Sequence, residues 1–162
     1  MSTADSTGTV LPRRAARQPD ELPPPRSFPP SLAGDPSLPY AAIRQELADL
    51  RLQIPGLLGC VLGGVDGLLI THNLQTDVDP DDLAALAATT YGLGRQVGLR
   101  LGQGGFQQST VRNEDGYLSV YAVSARALLA VVGQDSINVA RLHLHAPPVA
   151  QRLAVLLSPG RL

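Results

Sequence analysis

Apolar residues along this chain follow two periods, and neither begins before residue 39. Over residues 40–52, Ile43, Leu47 and Leu50 recur at helical spacing, which predicts a short amphipathic helix ended by Ile54-Pro55-Gly56. Residues 57–62 then read as a strand, Asp66-Gly67 as a tight hairpin, and residues 68–71 as the return strand. A polar loop over residues 72–78 delivers the chain to a long helix ending near Leu101. Residues 106–111 predict a third strand, Asp115-Gly116 a second hairpin, and residues 117–123 a fourth strand. The continuously apolar run 127–132 suits a central strand covered on both faces. After a capping region at residues 135–138, a last helix carries Val149, Leu153, Leu156 and Leu157 on its apolar positions. Pro147-Pro148 predict a kink in it or a fresh start at Ala146. The pattern is therefore helix, two strands, helix, three strands, helix: an α/β (α+β) domain with both sheet faces covered.

The long helix has the clearest boundaries. Asp79 suits the N-cap and Pro80 the first helical position, Asp82 complements the dipole, and Gly102 is the expected stop. Leu83, Leu86, Thr90, Leu93, Val97 and Leu101 form a bulky stripe, expected to seat the helix on the sheet. A second stripe of Ala84, Ala88, Tyr91, Arg95 and Gly98, with Leu99 beside it, is then left over, and predicts an interface.

Residues 1–38 differ in material. They hold most of the fourteen prolines, including Pro23-Pro24-Pro25 and Pro29-Pro30, and show no apolar period. Such composition predicts a disordered proline-rich tail, a spacer or a docking peptide, followed by a single domain over residues 39–158. Net charge is −1, and all thirteen basic residues are arginine. No basic stripe is available for a phosphate backbone, so nucleic acid is not an expected partner. Without lysine there is neither a Walker-type phosphate loop nor a Schiff-base nucleophile. The lone Cys60 has no intramolecular disulfide partner and lies in an apolar run, which points to a reducing compartment and an inert thiol. Arg13-Arg14 is not followed by an apolar segment, and no run reaches the ~20 residues of a membrane span. Cytoplasmic residence without membrane insertion is the expectation.

Catalytic templates fail one by one. On a helix the rings of His143 and His145 point about 200° apart, and no third metal ligand is apparent. Asp79, Asp81 and Asp82 are accounted for by a helix cap and its dipole. Gly102-Gln103-Gly104-Gly105 follows a helix and precedes a strand, the reverse of a phosphate-cradling order. Ser109, Thr110, Ser119 and Ser124 have no histidine placed to activate them. No catalytic residue, cofactor or metal is expected.

In this order of elements, particular runs become recognisable. They are Gly59-Cys60-Val61-Leu62-Gly63, Asp66-Gly67-Leu68-Leu69-Ile70, Asp82-Leu83-Ala84-Ala85-Leu86-Ala87-Ala88, and Leu101-Gly102-Gln103-Gly104-Gly105-Phe106. Gly116-Tyr117-Leu118-Ser119-Val120, Leu128-Leu129-Ala130-Val131-Val132 and Asn138-Val139-Ala140-Arg141-Leu142 follow. Together they resemble the Roadblock (dynein light-chain) family, bacterial Ras-like-GTPase-associated type, over roughly three quarters of the chain.

The resemblance implies a profilin-like or longin-like α-β-β-α-β-β-β-α fold, with a five-stranded antiparallel sheet flanked by helices. It further implies a homodimer joined through the third strand and the long helix. On this chain that interface would hold Ala84, Ala88, Tyr91, Arg95, Gly98, Leu99, Gln107, Ser109 and Val111. The implied function is non-enzymatic: a regulator or scaffold that binds a small Ras-like GTPase and alters its hydrolysis or location. A sensor-kinase-like protein is a further implied partner, and Arg95 and Arg100 are the residues an arginine-finger role would fall on. The competing reading is a profilin-like sensory or adaptor module that takes a small ligand, in a pocket under the long helix, or a signalling kinase. A hydrolase using serine or Cys60 lacks a base.

Overall fold

The structure, a computed structural model, describes residues 29–158 and residue 160. Eight elements follow one another: α1 (Tyr40–Gln53), β1 (Leu57–Gly64), β2 (Leu69–Leu74), α2 (Pro80–Leu101), β3 (Gln108–Asn113), β4 (Gly116–Ala122), β5 (Ala127–Gln134) and α3 (Val139–Leu157). The strands form one antiparallel sheet in the order β2-β1-β5-β4-β3, so β1 and β5 are central and β2 and β3 are edges. The predicted element order and fold class hold.

Strand alternation sends residues to two cores. Cys60, Leu62, Leu129, Val131 and Tyr121 pack beneath α1 and α3, against Ile43, Leu47, Leu50, Leu142, Val149 and Leu153. Val61, Leu128, Ala130 and Val120 face Leu83, Ala84 and Ala87 of α2. The α1–α3 pair is closed at its surface by Arg152 Nε and Glu46 Oε2 at 2.8 Å, an exposed contact of little energetic weight.

Several boundaries move. β2 runs three residues further than expected, to Leu74, and β3 starts two later, at Gln108. Phe106 is thereby released from the sheet and packs edge-on against Tyr91, with ring centroids 5.3 Å apart. α3 continues through Pro147 and Pro148 as one helix rather than starting at Ala146. The two prolines remove only the donors that would reach back to His143 and Leu144. Leu144 is exposed, and Val149 and Leu153 beyond the pair are buried, so packing on the sheet outweighs the missing bonds.

The fold also begins earlier than the hydrophobic pattern predicts. Leu32 is 7% exposed and belongs to the α1/α3 core, with Leu38 packed against it. The Arg126 guanidinium donates to the Pro30 carbonyl. Asp35 Oδ1 accepts from the Ser37 amide at 2.9 Å and its hydroxyl at 2.7 Å, and these bonds hold the carboxyl below its ordinary pKa. A lone leucine between prolines carries no period, which is why the hydrophobic pattern puts the boundary at residue 39. Residues 1–28 of the expected tail, Pro23-Pro24-Pro25 included, lie outside the described residues. Leu32→Ala should lower stability by about 2 kcal/mol and Tm by roughly 5–10 °C. An unchanged thermal melt would place this strap outside the cooperative fold.

Candidate functional site

α2 is built as its sequence dictates. Asp79 Oδ1 accepts from the Asp81 amide at 2.9 Å, Pro80 occupies the first turn, and Gly102 closes the helix at φ +64°. Its two stripes, however, are exchanged relative to expectation. Most of the small stripe lies inward: Ala84 and Gly98 are buried, with Ala87 beside them, Ala88 and Tyr91 are half-buried, and Arg95 alone is exposed. The bulky stripe faces outward, with Leu86 52%, Leu93 69%, Val97 45% and Leu101 65% exposed. Only Leu83 of that stripe is buried.

Close approach is the physical reason. A methyl group at Gly63 of β1 would stand 3.2 Å from Ala84 Cβ, and one at Gly98 would stand 2.6 Å from the Gly104 carbonyl oxygen. A methyl group at Gly94 would meet the Phe106 ring. Glycine and alanine on both surfaces bring the helix axis near the sheet, and a leucine there would hold it off. Ala84 and Gly98 are therefore buried within the monomer, Gly98 at the floor of the groove between α2 and the chain leading into β3. At Gly63 and Ala84, small residues rather than leucines bring α2 against β1.

The exposed stripe faces the β3 edge of the sheet. Thr90, Leu93 and Val97 line an open groove of about 410 Å³ whose other wall is Gln103 to Ser109. Leu83 and Leu86 line a second groove of about 450 Å³ with Leu58, Leu118 and Val132. On β3, Ser109 and Val111 pair with Val120 and Leu118 and so turn to the α2 side, where Val111 is 41% exposed. Gln107, just ahead of β3, accepts the Ala122 amide through its carbonyl and keeps an exposed side chain. Thr110 turns to the other face, its hydroxyl 2.8 Å from Ser119 Oγ. The site is one apolar flank running into a strand edge that is unpaired among the described residues.

Two predicted residues fall elsewhere. Arg95 lines a cleft on the opposite flank with Tyr91, Val65, Asp66, Arg126 and the Pro29-to-Leu32 strap. Leu99 is exposed but lies away from the Leu93–Val97 stripe on the helix circumference. The sequence pattern assigns Leu86, Leu93 and Val97 to the core; the size match between Gly63 and Ala84 is the signal that corrects it.

The remaining chemistry is structural. Cys60 is fully buried, and burial pushes its thiol up to about 12, so it stays protonated and unreactive. Tyr121 OH bonds His143 Nδ1 at 2.8 Å between sheet and α3, and burial raises its pKa to about 12. Among the described residues no cluster of His, Cys, Asp and Glu could hold a metal ion, and no helix is long and apolar enough to cross a membrane.

Known proteins share this architecture. A Roadblock/LC7 domain from Streptomyces avermitilis superimposes with a TM-score of 0.66 at 26% identity, covering 70% of this chain and 95% of that one. The gliding protein MglB from Thermus thermophilus aligns at TM-score 0.70 and 22% identity, over 80% of this chain and 98% of its own. An MglB in a tetrameric arrangement aligns at TM-score 0.72 and 23% identity, over 80% and 97%. In sequence, the uncharacterised protein MJ1340 of Methanocaldococcus jannaschii is 22% identical over 101 residues, 62% of this chain and 88% of that protein. The Roadblock/LC7 domain model matches residues 43–133, from the first turns of α1 to the end of β5 and across more than half of the sequence. The chain belongs to the Roadblock/LC7 domain family.

Proposed function

We propose that this protein is a non-enzymatic homodimer that binds a small Ras-like GTPase and modulates its hydrolysis or location. The observation that carries the reading is the apolar flank of α2 continuous with the open β3 edge. Burying a leucine or valine is worth about 1.5–3 kcal/mol each, so an exposed stripe of them is a surface that a partner covers. A second copy meets its requirements: β3 would pair with β3, extending the sheet, and α2 would lie along α2. The interface residues become Leu86, Thr90, Leu93 and Val97 of α2 with Gln107, Ser109 and Val111, in place of Ala84, Ala88, Tyr91, Arg95, Gly98 and Leu99. The MglB of tetrameric arrangement supports self-association on the same fold.

The GTPase partner rests on family membership. A sensory reading would place its ligand not under α2, where Ala84, Ala87 and Gly63 pack closely, but in the cleft of about 590 Å³ that Tyr91 and Arg95 form with the Pro29-to-Leu32 strap. Affinity purification of the full chain from its host, in parallel with GDP and a non-hydrolysable GTP analogue, tests the proposal. A Ras-like GTPase should be enriched with one nucleotide and depleted with the other. Recovery of a sensor-kinase-like protein alone, with no GTPase in either condition, would redirect the function to an adaptor.

A further inference from the structure

The other edge of the sheet is built differently. β2 ends the sheet opposite β3, so its outer backbone edge is open among the described residues. Such an edge offers alternate N–H and C=O groups to an incoming strand. Above it runs α1, with Glu46 turned to Arg152 on α3 and Arg44 and Arg51 on the opposite flank. Seven residues apart, these arginines share one angular position on the helix.

Both are held by β2. Arg44 Nε donates to Thr71 Oγ1 at 3.1 Å, and Arg51 Nε donates to Asn73 Oδ1 at 2.9 Å. Each bond uses Nε, and among the described residues neither guanidinium meets a carboxylate. Thr71 is buried, so its hydroxyl is a fixed anchor. Thr71 and Asn73 are two apart on one strand face, which spaces the anchored heads by about 6.7 Å. That is the spacing of residues i and i+2 in any strand laid beside β2.

We infer that the β2 edge with Arg44 and Arg51 is a docking site for an extended acidic segment of another protein, with carboxylates at positions i and i+2. Main-chain hydrogen bonds supply the strand addition, and the two guanidinia select Asp or Glu at alternate positions. A second copy of this chain is disfavoured there, because β2 against β2 would bring together four arginines, none of which meets a carboxylate within its own chain among the described residues. The two ends of the sheet thus divide the work: the β3 end is apolar and suits self-association, the β2 end is cationic and suits a different chain. This inference stands independently of dimer formation.

The test uses the full chain and a fluorescently labelled peptide of alternating valine and aspartate. Saturable binding is expected, weakened about tenfold by Arg44→Gln and again by Arg51→Gln, the worth of a hydrogen bond to a charged group. Replacing both aspartates of the peptide by asparagine should cost a comparable factor. Two further peptides, N-methylated at alternate amides in opposite phases, leave the protein untouched. Only one phase should bind, because a strand added to an edge turns every second amide toward it. Equal binding of both methylated peptides, or binding indifferent to the two arginine substitutions, would overturn the proposal.

Discussion

Leu93→Arg should convert the protein to a monomer in sedimentation velocity, and its thermal melt should fall only to that of the dissociated parent at high dilution. Leu93 is the most exposed of the large apolar residues on α2 and sits centrally in the outward stripe. In the monomer an arginine there is fully solvated, so the fold loses nothing. In a pair of α2 helices packed side by side, the charge meets apolar surface and, by symmetry, its own mate. An unpaired buried charge costs about 3–5 kcal/mol, a weakening of self-association by at least a hundredfold. Ala88→Arg makes the complementary measurement. Ala88 is half-buried against the α2 core, and a methyl group on Gly67 would stand 3.7 Å from its Cβ. Its arginine should therefore lower the melting temperature. A stable monomer from Ala88→Arg, together with an intact dimer from Leu93→Arg, would restore the small stripe as the interface.

That contrast marks where the sequence is legible. Element order is readable because turn chemistry and period punctuate it: Asp66-Gly67, Asp115-Gly116, Asp79-Pro80 and Gly102 fall where the chain reverses or a helix begins or ends. The extent of the long helix is readable too, but not which of its faces meets the sheet. Both α2 stripes repeat at 3.6 residues, so periodicity fixes that two faces exist and not which one meets the sheet. Ranking by side-chain size chooses the leucines. The deciding fact is tertiary: β1 presents Gly63 opposite Ala84, and this pairing of small residues is visible only once the strand and helix are superposed. Leu32 escapes for a related reason, since a single buried residue outside any element leaves no pattern.

Gly59→Ala should be the most damaging single-methyl change in the sheet, at about 3–5 kcal/mol, combining backbone strain with overpacking. Gly59 has φ +152°, a conformation that L side chains rarely adopt, at the point where the β1–β5 register shifts. Its added methyl would run into the Asn73 carbonyl oxygen and stand 2.6 Å from Leu74 Cα. Both obstacles are β2 backbone, paired with β1 through Cys60↔Asn73 and Gly59↔Leu74. Relief therefore requires the end of β2 to lift away. For a domain whose total stability is about 5–15 kcal/mol, this removes a large share, and Tm should fall by roughly 10–20 °C. Gly105→Ala, where a methyl group meets nothing within 4 Å, should stay within about 0.5 kcal/mol of the parent. Hydrogen exchange locates the damage: amides of Leu69–Leu74 should lose protection first, while those of β4 and β5 follow only with global unfolding. Lifting Asn73 also releases the anchor of Arg51, so the same substitution should weaken capture of the acidic peptide even below its melting temperature. Uniform loss of protection across all five strands would instead mean that β2 unfolds only with the whole sheet, and that the Arg44–Arg51 edge is as rigid as the core behind it.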